Sequence, residues 1–237
     1  MAGKKRLFYI VHQDKDIIVV DKPAGLLAVP IPDSNVKNLF DLVAEHLGKH
    51  GVRVGSVHRI DRYTSGLMVF AKNKRAFDDL TQKFRSHEPR RTYLAMVRGI
   101  IEQDEGTLEH HLKLIKEGFR NIVVDPNEEG ATPARLHYKV KERFQENTLI
   151  EVNLDTGLKN QIRVQFEHFG HQLVGDQHYA PEEEQEPLIN RQALHAYQLE
   201  FEHPRTHRMV QYEAKIPPDM LRLIDKFRWR KETEAKG

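Results

Sequence analysis

The sequence predicts an α+β fold in which a mixed, mostly antiparallel sheet is flanked by helices. Three observations lead there. Between residues 106 and 155, strand-like runs follow one another with connections too short for crossover helices, so antiparallel pairing is the economical arrangement. Residues 38–47 and 74–84 instead repeat apolar positions at three- and four-residue intervals, the spacing of a helix with one buried face. No internal repeat, low-complexity linker or Pro/Gly-rich break interrupts the chain.

Taken in order, residues 16–21 (Asp-Ile-Ile-Val-Val-Asp) read as a buried strand that ends at the turn Lys22-Pro23-Ala24-Gly25. Leu39, Leu42, Val43 and Leu47 then mark a core-facing helix with Gly48 as its stop. Residues 56–72 begin polar and pass through Thr64-Ser65-Gly66 into the apolar run 67–71, short enough for a buried strand. Phe77, Leu80 and Phe84 predict the inner face of a second helix, which runs into a basic cluster over residues 83–91. Strands are expected at 92–99, 122–124, 134–140 and 148–154. A helix starts within residues 156–165, with Ile162, Phe166 and Phe169 on one side. Beyond an acidic, solvated loop at 181–187, the turn Pro204-Arg205-Thr206-His207 joins two strands, the second over 209–216. The end is a basic helix over 220–231, with Leu221, Ile224 and Phe227 inward.

Composition narrows the chemistry. At 237 residues the chain can form one large domain or two small ones. A formal net charge of +2 does not announce a nucleic-acid binder, so any such surface has to come from local segregation of charge. Cys 0 rules out a disulfide scaffold, a thiolate metal site and a cysteine nucleophile. His110, His111 and His137 lack ligand-spaced partners, and no metal is expected. The first apolar run is too short for a signal sequence and no later run approaches a membrane span, so a cytoplasmic protein is expected. Gly-x-Ser-x-Gly and His-Glu-x-x-His patterns of hydrolases are missing too.

One acid stands out. Asp61 lies between Arg59 and Arg62 on the loop that enters the apolar run, a placement that suits a catalytic carboxylate. A loop aspartate can equally bond backbone amides at its own turn, and spacing alone favours that second role. His58-Arg59-Ile60-Asp61 followed by Thr64-Ser65-Gly66-Leu67 resembles the signature of the RluA-type pseudouridine synthases, usually His-Arg-Leu-Asp with a following Thr-Ser-Gly. Asp-Lys-Pro-Ala-Gly-Leu at 21–26 is similar to that family's first motif, and the basic run leading to Tyr93 is similar to its second. Residues 156–165 resemble its third, Thr-Gly-Arg-Thr-His-Gln-Ile-Arg-Val-His, with Leu158, Lys159, Asn160 and Gln165 departing from it. The resemblance continues through Gly170-His171-Gln172-Leu173-Val174-Gly175-Asp176 and the closing hairpin.

The resemblance implies an RNA pseudouridine synthase fold with a central catalytic cleft and no cofactor. Residues 1–13 become an N-terminal extension, 14–218 the catalytic domain and 219–237 a basic C-terminal helix or tail. The small amino-terminal RNA-binding domain of some relatives is not expected, because the first motif begins almost at the start. Asp61 is implied as the catalytic carboxylate, Arg163 as its charge partner, and Tyr93 as the residue that stacks on the uracil and accepts a proton late. Ile162 closes the other face of the base, and Arg59 fills the place of the extruded uridine. Arg62 joins Arg59 beside the acid, Lys159 restores one charge in the third motif, and Arg85, Arg90 and Arg91 are candidates for phosphate contact. The expected partner is a ribosomal or transfer RNA stem-loop, bound by a monomer. The alternative is a non-catalytic RNA-binding or RNA-folding protein of the same fold, against which Asp61, Tyr93 and Arg163 speak together.

Overall fold

The structure, a computed structural model, describes residues 7–48, 54–115, 120–180 and 186–234. In chain order it forms β1 (Tyr9–Gln13), β2 (Ile17–Lys22), α1 (Leu39–Gly48), β3 (Gly55–Ser56), β4 (Ser65–Ala71) and α2 (Lys74–Arg85). Five strands follow: β5 (Arg90–Arg98), β6 (Glu105–Ile115), β7 (Arg120–Val124), β8 (Thr132–Arg143) and β9 (Asn147–Leu154). The chain closes with α3 (Gln161–His168), β10 (Leu194–Glu202), β11 (Met209–Glu213) and α4 (Pro218–Glu234). Two compact units divide these elements, Met1–Arg91 with Ala196–Lys215 and Thr92–His195 with Ile216–Gly237.

In the first unit β2 lies between β1 and β4, antiparallel to both, with Tyr9 opposite Asp21 and Lys22 opposite Gly66. All of β4 is buried, because helices cover both of its faces. Leu67, Val69 and Ala71 pack with Ile17 and Val19 against Ala76, Leu80 and Phe84 of α2. On the other face Phe70 meets Phe40 of α1, ring centroids 6.4 Å apart. Asn73 starts α2 by accepting the Ala76 N–H at 2.9 Å. The expected inner face of α2 is corrected at one position. Phe77 is 37% exposed and Ala76 takes its place in the core. The Phe77 ring instead covers Gly55, where even a β-carbon would come within 2.2 Å of it.

In the second unit β5, β9, β8, β6 and β7 form consecutive antiparallel ladders, as the short connections predict. Tyr93 stands opposite Val152, and His137 opposite both Thr107 and Asn153. Helix α3 does not show the one-sided pattern expected of it. Gln161, Ile162, Arg163, Val164, Gln165 and Phe166 are all buried, since its polar side chains find internal partners. The inward face of α4 is corrected as well. Met220, Leu223, Ile224 and Phe227 form the buried i, i+3, i+4, i+7 series, while Leu221, about 100° out of step with it, is 43% exposed. Phe227 packs on Phe144 with centroids 5.8 Å apart. The last predicted strand ends at Glu213, short of 216. Of the predicted acidic loop, residues 181–185 lie outside the described residues. No helix among the described residues is long and apolar enough to cross a membrane.

Candidate active site

Asp61 opens a tight turn, Asp61-Arg62-Tyr63-Thr64, closed by the Thr64 N–H donating to the Asp61 carbonyl at 3.2 Å. The turn is held from beneath by Lys22, whose side chain is fully buried. Its ammonium donates to the carbonyls of Pro23, Leu26 and Arg62 at 3.0, 2.8 and 2.9 Å. Three acceptors for three protons is what makes a buried lysine tolerable. Gly25 adds a reciprocal clasp: its N–H donates to the Arg62 carbonyl at 2.9 Å, and Arg62 Nε donates back to the Gly25 carbonyl at 2.9 Å. Gly25 has φ 87°, the left-handed region that favours glycine.

Both flanks of the turn are fixed too. At Gly66, φ is 115° and a β-carbon would stand 2.2 Å from the Ala196 carbonyl oxygen, so only glycine fits the end of Thr-Ser-Gly. On the other side His58 Nε2 accepts the Val69 N–H at 3.0 Å, and its ring stacks on Phe84 with centroids 4.4 Å apart. Burial, then the nearby charge of Arg91, pushes His58 down to about 3. The imidazole is therefore neutral with its proton on Nδ1, a brace for the loop rather than an acid. Asp21, at the end of β2, is pushed up to about 6 by burial, against the pull of Lys22 and of the Gly66 N–H.

The site residues expected from sequence fall into two groups. Arg59, Asp61, Arg62, Arg85, Arg90 and Arg91 belong to the first unit. Asp61 is half-buried, Arg59, Arg62, Arg85 and Arg90 are exposed, and Arg91 is half-buried. Tyr93, Lys159, Ile162 and Arg163 belong to the second unit. Tyr93 and Ile162 are buried, and Lys159 is exposed. A place for Arg163 on the outer surface of its helix is ruled out: the side chain is 5% exposed and forks onto Asp176, which is fully buried. Its Nε donates to Oδ2 at 2.6 Å and one Nη to Oδ1 at 2.7 Å. Tyr179 supports the pair, with the guanidinium carbon 4.9 Å from its ring centroid.

Asp176, which the sequence placed only at the end of a short apolar segment, is the buried partner of Arg163. Besides holding Arg163, its Oδ1 accepts the N–H groups of His178 and Tyr179 at 3.0 and 3.2 Å. The Tyr179 hydroxyl in turn donates to the Asn121 carbonyl at 3.0 Å. Three of the four departures in the third motif, at Leu158, Asn160 and Gln165, also find structural explanations. Asn160 sits in the left-handed region with φ 55° and donates to the Tyr179 hydroxyl at 3.3 Å. Gln165 is fully buried and its amide reaches the Leu108 carbonyl at 3.0 Å and His110 Nδ1 at 3.1 Å. Leu158 packs against Leu112, Ala134, Val164 and Tyr179, and the Lys159 carbonyl accepts from Asn121 at 2.5 Å.

Histidines do not assemble a metal centre at the positions considered. His137 lies between Thr107 Oγ1 at 2.8 Å and Asp155 Oδ2 at 3.0 Å, and His110 faces Gln165. Asp14, Asp16 and His203 do converge, but their charges are already matched. Arg205 holds Asp16, and His203 Nε2 meets Asp14 at 2.9 Å. This network ties the β1–β2 turn to the β10–β11 turn and to the start of α2.

The chain is similar to known proteins. A family model described as RNA pseudouridylate synthase matches residues 16–168. The uncharacterized RNA pseudouridine synthase YlyB of Bacillus subtilis (strain 168) is 38% identical over 224 residues, covering 92% of this chain and 72% of the relative. Ribosomal large subunit pseudouridine synthase D of Nitrosomonas europaea is 35% identical over 227 residues, covering 92% of this chain and 65% of its own length. Among solved structures, Human RNA Pseudouridylate Synthase Domain Containing 4 superposes with a TM-score of 0.76 over 93% of both chains at 21% identity, a likeness of fold.

Proposed function

The chain belongs to the RNA pseudouridylate synthase family, and from that premise we propose that it converts one uridine of a ribosomal or transfer RNA stem-loop to pseudouridine, with Asp61 as the catalytic carboxylate. The reaction breaks the N1–C1′ glycosidic bond, turns the uracil, and joins C5 to C1′, while the C5 proton is released and N1 gains one. Atoms and oxidation state are conserved, so no redox group or nucleotide is consumed. The step that needs help is departure of the base, for which a carboxylate at the sugar or base acts as nucleophile or stabilises developing positive charge. Tyr93 and Arg163 are assigned as its partners in the chemistry, Tyr93 as the late proton acceptor and Arg163 as the balancing cation. Ile162 supplies apolar contact to the uracil. Arg59 occupies the stack that the extruded uridine leaves. Lys159 and the exposed Arg85 and Arg90 contact phosphate, with Arg91 also assigned there. The protein acts as a cytoplasmic monomer and needs no metal.

The single observation that carries this reading is the family match across residues 16–168, a span that includes Asp61 on a turn whose Asp61 and Arg62 carbonyls are hydrogen-bonded. The test is a map of pseudouridines in RNA from cells lacking the gene, restored with wild type or with Asp61→Asn. Wild type is expected to restore at least one pseudouridine and Asp61→Asn none, with RNA affinity unchanged within a few fold. A variant that kept even roughly a tenth of the single-turnover rate would remove Asp61 from this role. RNA bound but unmodified by the wild type would point to the RNA-binding alternative.

A further inference from the structure

Arg62 and Tyr63 are the two corner residues of the turn that Asp61 opens, and the catalytic assignment gives them no more than proximity. The Arg62 guanidinium lies over the Tyr63 ring, 5.3 Å from its centroid. Tyr63 nonetheless keeps 41% of its surface exposed. A solvated turn corner would normally let such side chains move, but here the Arg62 side is anchored. The Arg62 carbonyl takes hydrogen bonds from Lys22 and from the Gly25 N–H, and its side chain is tied to the Gly25 carbonyl. An exposed aromatic ring beside an anchored guanidinium offers a ligand a partly preorganised face, so less side-chain freedom is lost on binding.

We propose that Arg62 and Tyr63 form a stacking platform for the nucleobase next to the target uridine, a proposal that rests on the pseudouridine-synthase reading of Asp61. Every base has a π-face, so an aromatic–guanidinium pair recognises a neighbouring base without demanding its identity, and favours purines for their larger area. The distance fits a neighbour rather than a remote nucleotide. Two residues of chain reach at most about 7 Å, roughly the step from one nucleotide to the next in an extended strand.

The probe is a short single-stranded RNA with one uridine and the fluorescent purine 2-aminopurine placed on either side of it in turn. Stacking on Tyr63 is expected to quench the fluorophore at one flank with wild type and with Tyr63→Phe. Tyr63→Leu should lose the quench and bind roughly tenfold more weakly. Removing that flanking base from the RNA should weaken wild type by a similar factor and leave Tyr63→Leu almost unaffected. Thermal denaturation of the three proteins confirms that each is folded. No quench at either flank with wild type, or an equal quench with Tyr63→Leu, overturns the platform. Failure of the functional reading looks different: wild type would leave cellular RNA without pseudouridine while the quench and its loss in Tyr63→Leu still stood.

Discussion

The Asp61 turn and the entrance to α3 are both short motifs that present charged side chains, yet they are built by different means. The Asp61 turn is held chiefly through backbone groups. The carbonyls of Pro23, Gly25, Leu26 and Arg62, and the N–H groups of Gly25 and Thr64, are its bonding surface. The entrance to α3 relies in addition on bonds between side chains. Arg163 binds Asp176, Asn160 binds Tyr179, and Gln161 Oε1 accepts from the Thr156 hydroxyl at 2.8 Å. Backbone-held geometry admits few sequences, because each alternative residue must accept the same φ, ψ and clearance. Side-chain pairs can be exchanged together. The same contrast separates the two motifs in the sequence: the signature around Asp61 departs from the family pattern only at Ile60, the third motif at four positions.

The largest expected effect comes from breaking the side-chain-held region. Asp176→Ala takes the carboxylate from a buried guanidinium and leaves the His178 and Tyr179 N–H groups without their acceptor. A loss of about 3–5 kcal/mol is expected, read from denaturant unfolding. Turnover should fall with it, since Arg163 loses the fork that orients it. If exchangeability is real, Arg163→Met combined with Asp176→Ala should recover part of that stability though not the activity. A double variant as unstable as the sum of the two single variants would refute the contrast.

Gly66→Ala attacks the backbone-held region, with an expected loss of about 2–4 kcal/mol. The added methyl meets the carbonyl oxygen, N and carbonyl carbon of Ala196 at 2.2, 2.6 and 2.7 Å, all of them main chain. Ala196→Gly therefore cannot relieve it. Rescue of Gly66→Ala by Ala196→Gly, measured by thermal denaturation, would show that the clash is not what fixes this position.

The same division explains what was legible in the sequence. The apolar run 67–71 announces β4 because both faces are covered, and Leu80 and Phe84 announce α2 by their period. Phe77 misleads because its partner is a glycine 22 positions earlier, Gly55, which periodicity within the helix cannot reveal. The turn that carries Asp61 is legible through Thr64-Ser65-Gly66, the turn chemistry that leads into β4. Asp176 is not, because an ion pair spanning 13 residues leaves no local spacing, and its aspartate reads as an ordinary turn residue after Gly175. Helix α3 hides its burial for a related reason. Gln161, Arg163 and Gln165 look like a polar face until their buried partners are known.

The smallest effect sharpens the comparison on the backbone-held side. Asp21 accepts the Gly66 N–H, and burial pushes its carboxyl up to about 6 from an ordinary 3.8. The folded protein thus keeps this proton up to about pH 6, while the unfolded chain releases it near 3.8. Its contribution to stability is full below the unfolded value, is lost as pH rises through the folded value, and stays lost above it. Asp21→Asn keeps an oxygen for the Gly66 N–H and carries no charge at any pH. Its melting temperature should therefore exceed that of wild type at pH 8, with the gap closing as pH falls toward 4. Asp14 does not confuse this window. Burial works to raise its carboxyl, but hydrogen bonds from the Ile17 and Asp16 N–H groups, His203 and His12 bring it down to about 2, so it titrates at lower pH. A gap independent of pH, or a variant less stable than wild type at pH 8, would mean that Asp21 is ionised without cost, and that the Gly66 contact holds the loop by charge rather than by a backbone hydrogen bond to a neutral acceptor.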